Sequence, residues 1–191
     1  MPLSTAQLQT LKADIAASND LIPASMAALG FGPFVGLAVN NAALNSPDGD
    51  ACLAAVYNLG DAAFWVWRTA VQETEFTRDT SVDGTVWSWP QYIGRSQGER
   101  DAWARLFMGG LGGANPSLVN VRQGVADIFS GAATGVGSPT AQRTHLLTIA
   151  RRLAKRVEKL FATGTGSTAS PATMTFEGSL SGNDIRSARN S

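Results

Sequence analysis

Two residue types that carry much of protein chemistry are nearly missing: the 191-residue chain holds one cysteine and one histidine. A lone Cys52 excludes an internal disulfide and any cysteine-based zinc cluster, and its apolar helical surroundings read as those of a buried thiol. His145 has no His, Cys, Asp or Glu companion at metal-ligand spacing and no serine in a nucleophile-elbow setting, so it reads as a partly exposed helical residue. Long hydrophobic runs are missing too. The apolar stretch 21–44 is interrupted by Pro23, Gly30, Gly32, Pro33 and Gly36, too often for a membrane-spanning helix. The start of the chain lacks the basic, apolar and small-residue order of a secretory signal, and no period of 20–50 residues repeats. The expectation is a protein made in the cytoplasm without a membrane contact.

What is present is enough apolar residue, 44%, for an ordinary core, and a charge balance of zero that is unevenly spread. Residues 141–162 carry Arg143, Arg151, Arg152, Lys155, Arg156 and Lys159 against Glu158 alone, whereas the first 60 residues hold Lys12 against Asp14, Asp20, Asp48 and Asp50. Such a split suits complementary faces that meet head to tail, or a basic face that meets an acidic partner.

Helical signals recur along most of the chain. Ser4 with Gln7 is a capping box ahead of Leu8, Leu11 and Ile15. Residues 20–46, rich in Gly, Pro, Ala and Asn, read as an irregular insertion. Ser46, Pro47, Asp48 and Asp50 open a helix over 47–58 that Gly60 closes. Residues 63–71 read as helix, with Phe64, Trp67 and Val71 on one face; their aromatic and β-branched content also fits a strand, but no partner strand stands out. Trp89, Tyr92, Ile93, Trp103, Leu106 and Phe107 line a helical stripe over 89–108 with Pro90 in its first turn. Gly94 and Gly98 weaken its middle and Ser96 with Glu99 is a second capping box, which leaves open two helices meeting at a kink. Asn115-Pro116 opens a helix through Leu118, Val121, Val125 and Phe129. Ser138-Pro139 opens a long last one over residues 139–162, roughly 36 Å if continuous. A Gly/Ser/Thr spacer follows, then Met174, Phe176, Leu180 and Ile185, with a short terminal helix over 181–190. The predicted fold is all-α: a helical bundle over 1–162 and an extended C-terminal arm over 163–191 that reaches roughly 40 Å through its spacer.

Two clusters are candidate functional surfaces. Arg151, Arg152, Lys155, Arg156 and Lys159 form one basic face of the long helix, suited to an acidic protein surface or to DNA phosphates. Met174, Phe176, Leu180 and Ile185 form the apolar end of the arm, suited to another subunit. Trp65, Trp67, Trp87, Trp89 and Trp103 divide between core and interface. For catalysis, Glu73 and Glu75 would face apart on a helix, and the glycine runs 109–113 and 164–166 lack the lysine and strand context of a phosphate loop. No catalytic residue, metal site or cofactor is indicated.

The stretches Phe64-Trp65-Val66-Trp67-Arg68-Thr69, Trp87-Ser88-Trp89-Pro90, and Arg95-Ser96-Gln97-Gly98-Glu99-Arg100-Asp101-Ala102-Trp103 resemble a family of phage and prophage virion proteins from the head–tail gene region. So do Asn115-Pro116-Ser117 through Ile128-Phe129-Ser130-Gly131, Glu158-Lys159-Leu160-Phe161-Ala162-Thr163-Gly164-Thr165-Gly166, the closing Phe176-Glu177-Gly178 with Asp184-Ile185 and Ala188-Arg189, and the opening Gln7-Leu8-Gln9-Thr10-Leu11-Lys12. The resemblance covers most of the chain outside 20–46. It implies a structural virion protein, and within that group a head–tail adaptor (connector): a helical bundle in an oligomeric ring of about twelve copies that docks on the portal protein through the C-terminal arm. Other neck roles, stopper or tail terminator, and transient contact with packaged DNA through 139–162 stay open beside it. No catalytic residues carry over from the family.

Overall fold

The computed structural model describes residues 3–17, 47–78, 84–108 and 113–191. The irregular insertion expected at 20–46 lies outside the described residues. In chain order the elements are α1 (Thr5–Ala17), α2 (Pro47–Tyr57), β1 (Gly60–Trp67), α3 (Glu73–Phe76), α4 (Trp89–Ile93), α5 (Gln97–Phe107), α6 (Val119–Ile128), α7 (Thr140–Ile149), β2 (Arg151–Lys155), α8 (Arg156–Leu160), β3 (Ala162–Thr163), β4 (Thr173–Met174) and α9 (Gly182–Asn190).

The all-α expectation is corrected: β1 pairs with β2, and β3 with β4, in two small antiparallel sheets. The ends of the first ladder are closed by Arg68 N–H to the Ala150 carbonyl and Arg156 N–H to the Leu59 carbonyl, both at 2.9 Å. That pairing cuts the expected long helix 139–162 into α7, β2 and α8. The basic run of β2 tolerates this because it sits beside the aromatic, β-branched Phe64-Trp65-Val66-Trp67, the strand partner whose absence had favoured helix for 63–71. Leu153 is 41% exposed, while Ala154 is fully buried. This is the alternation of a strand.

The chain divides into two compact units: Met1–Phe64 with Leu153–Gly166 and Met174–Ser191, and Trp65–Arg152 with Ser167–Thr173. The expected division at 162 does not follow this boundary.

In the first unit the chain's two ends share one core. Leu11 and Ile15 of α1, Leu53, Val56 and Tyr57 of α2, and Val157 and Phe161 of the α8 region pack with Phe176, Leu180, Ile185 and Ala188. The expected arm is therefore corrected as well. Its spacer is pinned by β3–β4 and by Thr175, whose hydroxyl donates to the Phe161 carbonyl at 2.7 Å. Asn58 then clamps the Leu180 backbone from both sides, at 2.8 and 2.9 Å. The predicted terminal helix is present as α9, opened by a Ser181/Asp184 capping box. Gly182 lets α9 close on α2: a Cβ there would stand 3.3 Å from the Ala51 backbone nitrogen. Beneath it the buried Asp50 carboxylate faces Arg186 at 3.2 Å and Arg189 at 3.6 Å. Each buried Leu or Ile of the tail contributes about 1.5–3 kcal/mol that an extended arm would forgo. The apolar end that looked sticky is satisfied by its own chain.

The second unit is built around rings. Trp103 of α5 packs on Phe76, Trp87, Phe107 and Phe129 at centroid distances of 4.9–5.8 Å. Its indole N–H donates to Glu73 Oε1 at 2.8 Å. The stripe expected over 89–108 is divided into α4 and α5, with the Ser96/Glu99 capping box in place, and its expected members Trp89 and Ile93 lie outside the core. His145 departs from expectation: it is fully buried, with Nε2 2.9 Å from the Phe76 carbonyl. Gln142 beside it on α7 accepts from Ser88 N–H at 2.8 Å, so two polar side chains of α7 face inward and hold the backbone at Phe76 and Ser88.

Candidate functional site

The first unit contains an open cleft of about 510 Å³ lined by Asp14, Val56, Leu59, Gly60, Asp61, Arg156, Lys159 and Leu160. Two of the five expected basic residues meet in it. Arg156 and Lys159 stand one turn apart on α8, a helix opened by Glu158, whose carboxylate accepts the Lys155 N–H at 2.8 Å. Arg156 reaches Asp14 Oδ2 at 3.4 Å and lies over the Tyr57 ring at 5.1 Å. Lys159 reaches Asp61 Oδ2 at 2.7 Å and lies 5.4 Å from the Phe64 ring centroid. The hydrogen bond from Lys159 holds the Asp61 carboxyl below its ordinary range, helped by the Ala63 N–H. Tyr57 moves the other way: burial first, and its bond to Asp14 second, push the phenol above its usual range.

The remaining basic residues do not join them. Lys155 turns to the tail, where Nζ donates to the Gly178 carbonyl at 3.0 Å and to Ser179 Oγ at 2.7 Å. In the second unit Arg151 stacks over Trp65 at 5.2 Å and donates to the Thr168 carbonyl. Arg152 is half-buried in β2. Strand geometry, turn geometry and these partners disperse what a single helix would have presented as one basic face. Of the expected arm residues, Phe176 packs edge-on against Phe161 at 5.8 Å, Leu180 and Ile185 are buried, and Met174 is half-buried in β4.

Within the cleft each cation faces a carboxylate across an apolar floor, so the charges tie elements together. Glu73 and Glu75 are likewise spoken for: Glu73 accepts from Trp103, and Glu75 pairs with Arg68 at 2.8 Å. Among the described residues no group of three His, Cys, Asp or Glu side chains is placed to hold a metal ion.

A second surface emerges in the other unit, one the basic-face reading passed over. Helix α4 exposes Trp89 (53%) and Ile93 (62%), four residues apart and therefore on one side. Its other side is fixed inward. Gln91 Nε2 donates to the carbonyls of Val136, Gly137 and Ser138 at 3.1–3.3 Å, and its Oε1 accepts from the buried Arg95. The sequence signal is weak: Trp89 and Ile93 turn out only because the polar Gln91 and Arg95 turn in.

No protein-family model matches the chain, and neither a curated protein nor a solved structure matches it.

Proposed function

We propose that the chain is a structural subunit of a tailed-phage virion, at the junction of head and tail, where it forms a ring with further copies of itself and meets the portal or other neck proteins. The observation that carries this reading is the set of large apolar side chains held outside on the second unit: Trp89, Ile93, Val119 (71%) and Met108 (75%). Within that set Trp89 and Ile93 share one side of α4, and an exposed Trp beside an aliphatic side chain has the composition of an interface anchor. The family resemblance supplies the setting. Docking through a released C-terminal arm is not part of this proposal, since Phe176, Leu180 and Ile185 are core residues. Without that arm nothing singles out the adaptor among neck positions, and the proposal is for a neck subunit. The DNA-contacting alternative gains little, because Arg156 and Lys159 are paired with Asp14 and Asp61, and Lys155 with the tail.

The test is negative-stain microscopy and native mass spectrometry of the purified full chain, alone and mixed with the portal protein of the phage that encodes it. Rings, or a defined complex with portal, are the expected result. A monomer at every concentration, with no association to portal, overturns the reading.

A further inference from the structure

The C-terminal end of α4 meets a half-buried cation of α5 at the backbone of the exposed Ile93. Arg100, on the first turns of α5, donates through one guanidinium nitrogen to the Ile93 carbonyl at 3.2 Å and through the other to Gln97 Oε1 at 3.0 Å. Neither partner is charged. Gln97 in turn donates to Asp101 Oδ1 at 2.7 Å, which keeps the Asp101 carboxylate one residue removed. Glu99, the other carboxylate on this turn, is taken up by Ser96 at 2.7–2.8 Å and by Arg95 at 3.6 Å. Among the described residues Arg100 forms no ion pair, and its head group is oriented at the carbonyl of Ile93, whose side chain is 62% exposed.

The geometry points to a docking site on the Trp89–Ile93–Arg100 face for an acidic-apolar segment of a partner protein: a carboxylate to meet Arg100 and an aromatic or aliphatic side chain to cover Trp89 and Ile93. Three features support it. The platform is rigid, since Trp89 packs edge-on to Trp87 at 5.7 Å and to Tyr92 at 6.0 Å, and a Cβ on Gly94 would come within 2.9 Å of Ala133. A rigid Trp or Arg surface loses little side-chain entropy on binding, which is why such residues dominate interface energetics. The charge is also complementary in kind. A guanidinium already oriented by two neutral acceptors gains a charge-assisted, potentially bidentate bond from a carboxylate without first breaking an ion pair. Finally, apolar contact beside the pair excludes water and strengthens it. A strand of nucleic acid would find one cation here, where backbone tracking needs several.

This inference rests on the reading of the chain as an assembly subunit, and it names the chemistry of the partner that the second unit takes. It is tested with a random-peptide display library panned over the purified full chain, followed by fluorescence anisotropy on the enriched peptides. The expected peptides carry Asp or Glu next to an aromatic or aliphatic residue. Their affinity falls by about tenfold or more in Arg100→Gln, weakens with salt, and falls comparably in Ile93→Ser and Trp89→Ser. Ile93→Ser, at a side chain 62% exposed, keeps the wild-type circular dichroism and urea midpoint and is the control for folding. Trp89→Ser and Arg100→Gln give up ring contacts and two hydrogen bonds, so each is compared after its urea midpoint shows it fully folded at the assay temperature. Enriched peptides without acidic residues, affinities unmoved by both Arg100→Gln and Ile93→Ser, no enrichment at all, or displacement of the peptide by duplex DNA would each overturn the proposal. Ring formation without acidic-apolar binding removes this inference and leaves the neck-subunit reading standing; acidic-apolar binding without any ring or portal complex does the reverse.

Discussion

Tyr57 donates its hydroxyl proton to Asp14 Oδ2 across 2.6 Å, so a fully buried ring on α2 is tied to a carboxylate on α1 that also faces Arg156 of α8. Three elements far apart in sequence meet at one carboxylate; burial of the ring first, and this bond second, raise the phenol above its ordinary range. The folded state holds the phenol proton more tightly than the unfolded chain does. That contribution is complete below the ordinary phenol range near about pH 10 and is lost as pH rises through and beyond it. Urea unfolding at rising pH should show stability falling in that window. Tyr57→Phe should cost about 1–2 kcal/mol at neutral pH and flatten the alkaline decline; a decline as steep in the variant would assign it elsewhere.

Asp61 gives the opposite limb. Its carboxyl is held low, chiefly by Lys159, so its contribution is present above the ordinary carboxyl range and lost as pH falls through the depressed folded value. Lys159 is 47% exposed, and solvent screening limits the pair to about 0.2–1 kcal/mol. Asp61→Asn should therefore lower the neutral-pH midpoint slightly and make the acid decline shallower, measured by thermal melts from neutral to acid pH.

Gly166 and Gly135 separate backbone strain from steric conflict. Both have positive φ, +67° and +75°, but a Cβ at 166 would overlap the Phe64 ring at 2.2 Å, while nothing lies within 4 Å of one at 135. Gly135→Ala should cost about 1 kcal/mol for the strain alone. Gly166→Ala should cost that and a further ~1–3 kcal/mol for the displaced ring. Equal losses of melting temperature would show that Phe64 moves aside freely.

The C-terminal segment is core, and its removal should behave accordingly. Ile185→Ala should destabilise by about 2–4 kcal/mol, read from chemical denaturation. Deleting residues 174–191 strips Phe176, Leu180, Ile185 and Ala188 from the first core and should abolish its cooperative unfolding. A truncated chain that melts like the full one would return the segment to the role of an external arm.

Much of the helical framework was legible because its signals are local. Ser4/Gln7, Ser96/Glu99, Pro47 and Pro90 mark helix starts within a few residues of what they cap. The β1–β2 pair was not legible, because its partners lie more than 80 residues apart. Arg151-Arg152-Leu153-Ala154-Lys155 also satisfies a helical stripe as well as it satisfies a strand. The tail failed for a related reason: Met174, Phe176, Leu180 and Ile185 announce a buried surface without saying whose. Only the complementary face of Leu11, Ile15, Leu53 and Tyr57 decides that it is the chain's own. The Arg156 and Lys159 side chains were recognised, but their carboxylate partners at Asp14 and Asp61 depend on long-range folding. Trp89 and Ile93 could have been read as outward-facing once Gln91 and Arg95 were placed inside, yet those are polar residues that pattern reasoning assigns to solvent.

The most direct measurement of the proposed neck role is quantitative mass spectrometry of phage particles purified from cells that carry the gene, with a gold label locating the chain by electron microscopy. An assembly subunit of the neck should be present at ring stoichiometry, with the label at the head–tail junction. Purified virions that lack the protein, or a label distributed over capsid or tail, would contradict the account.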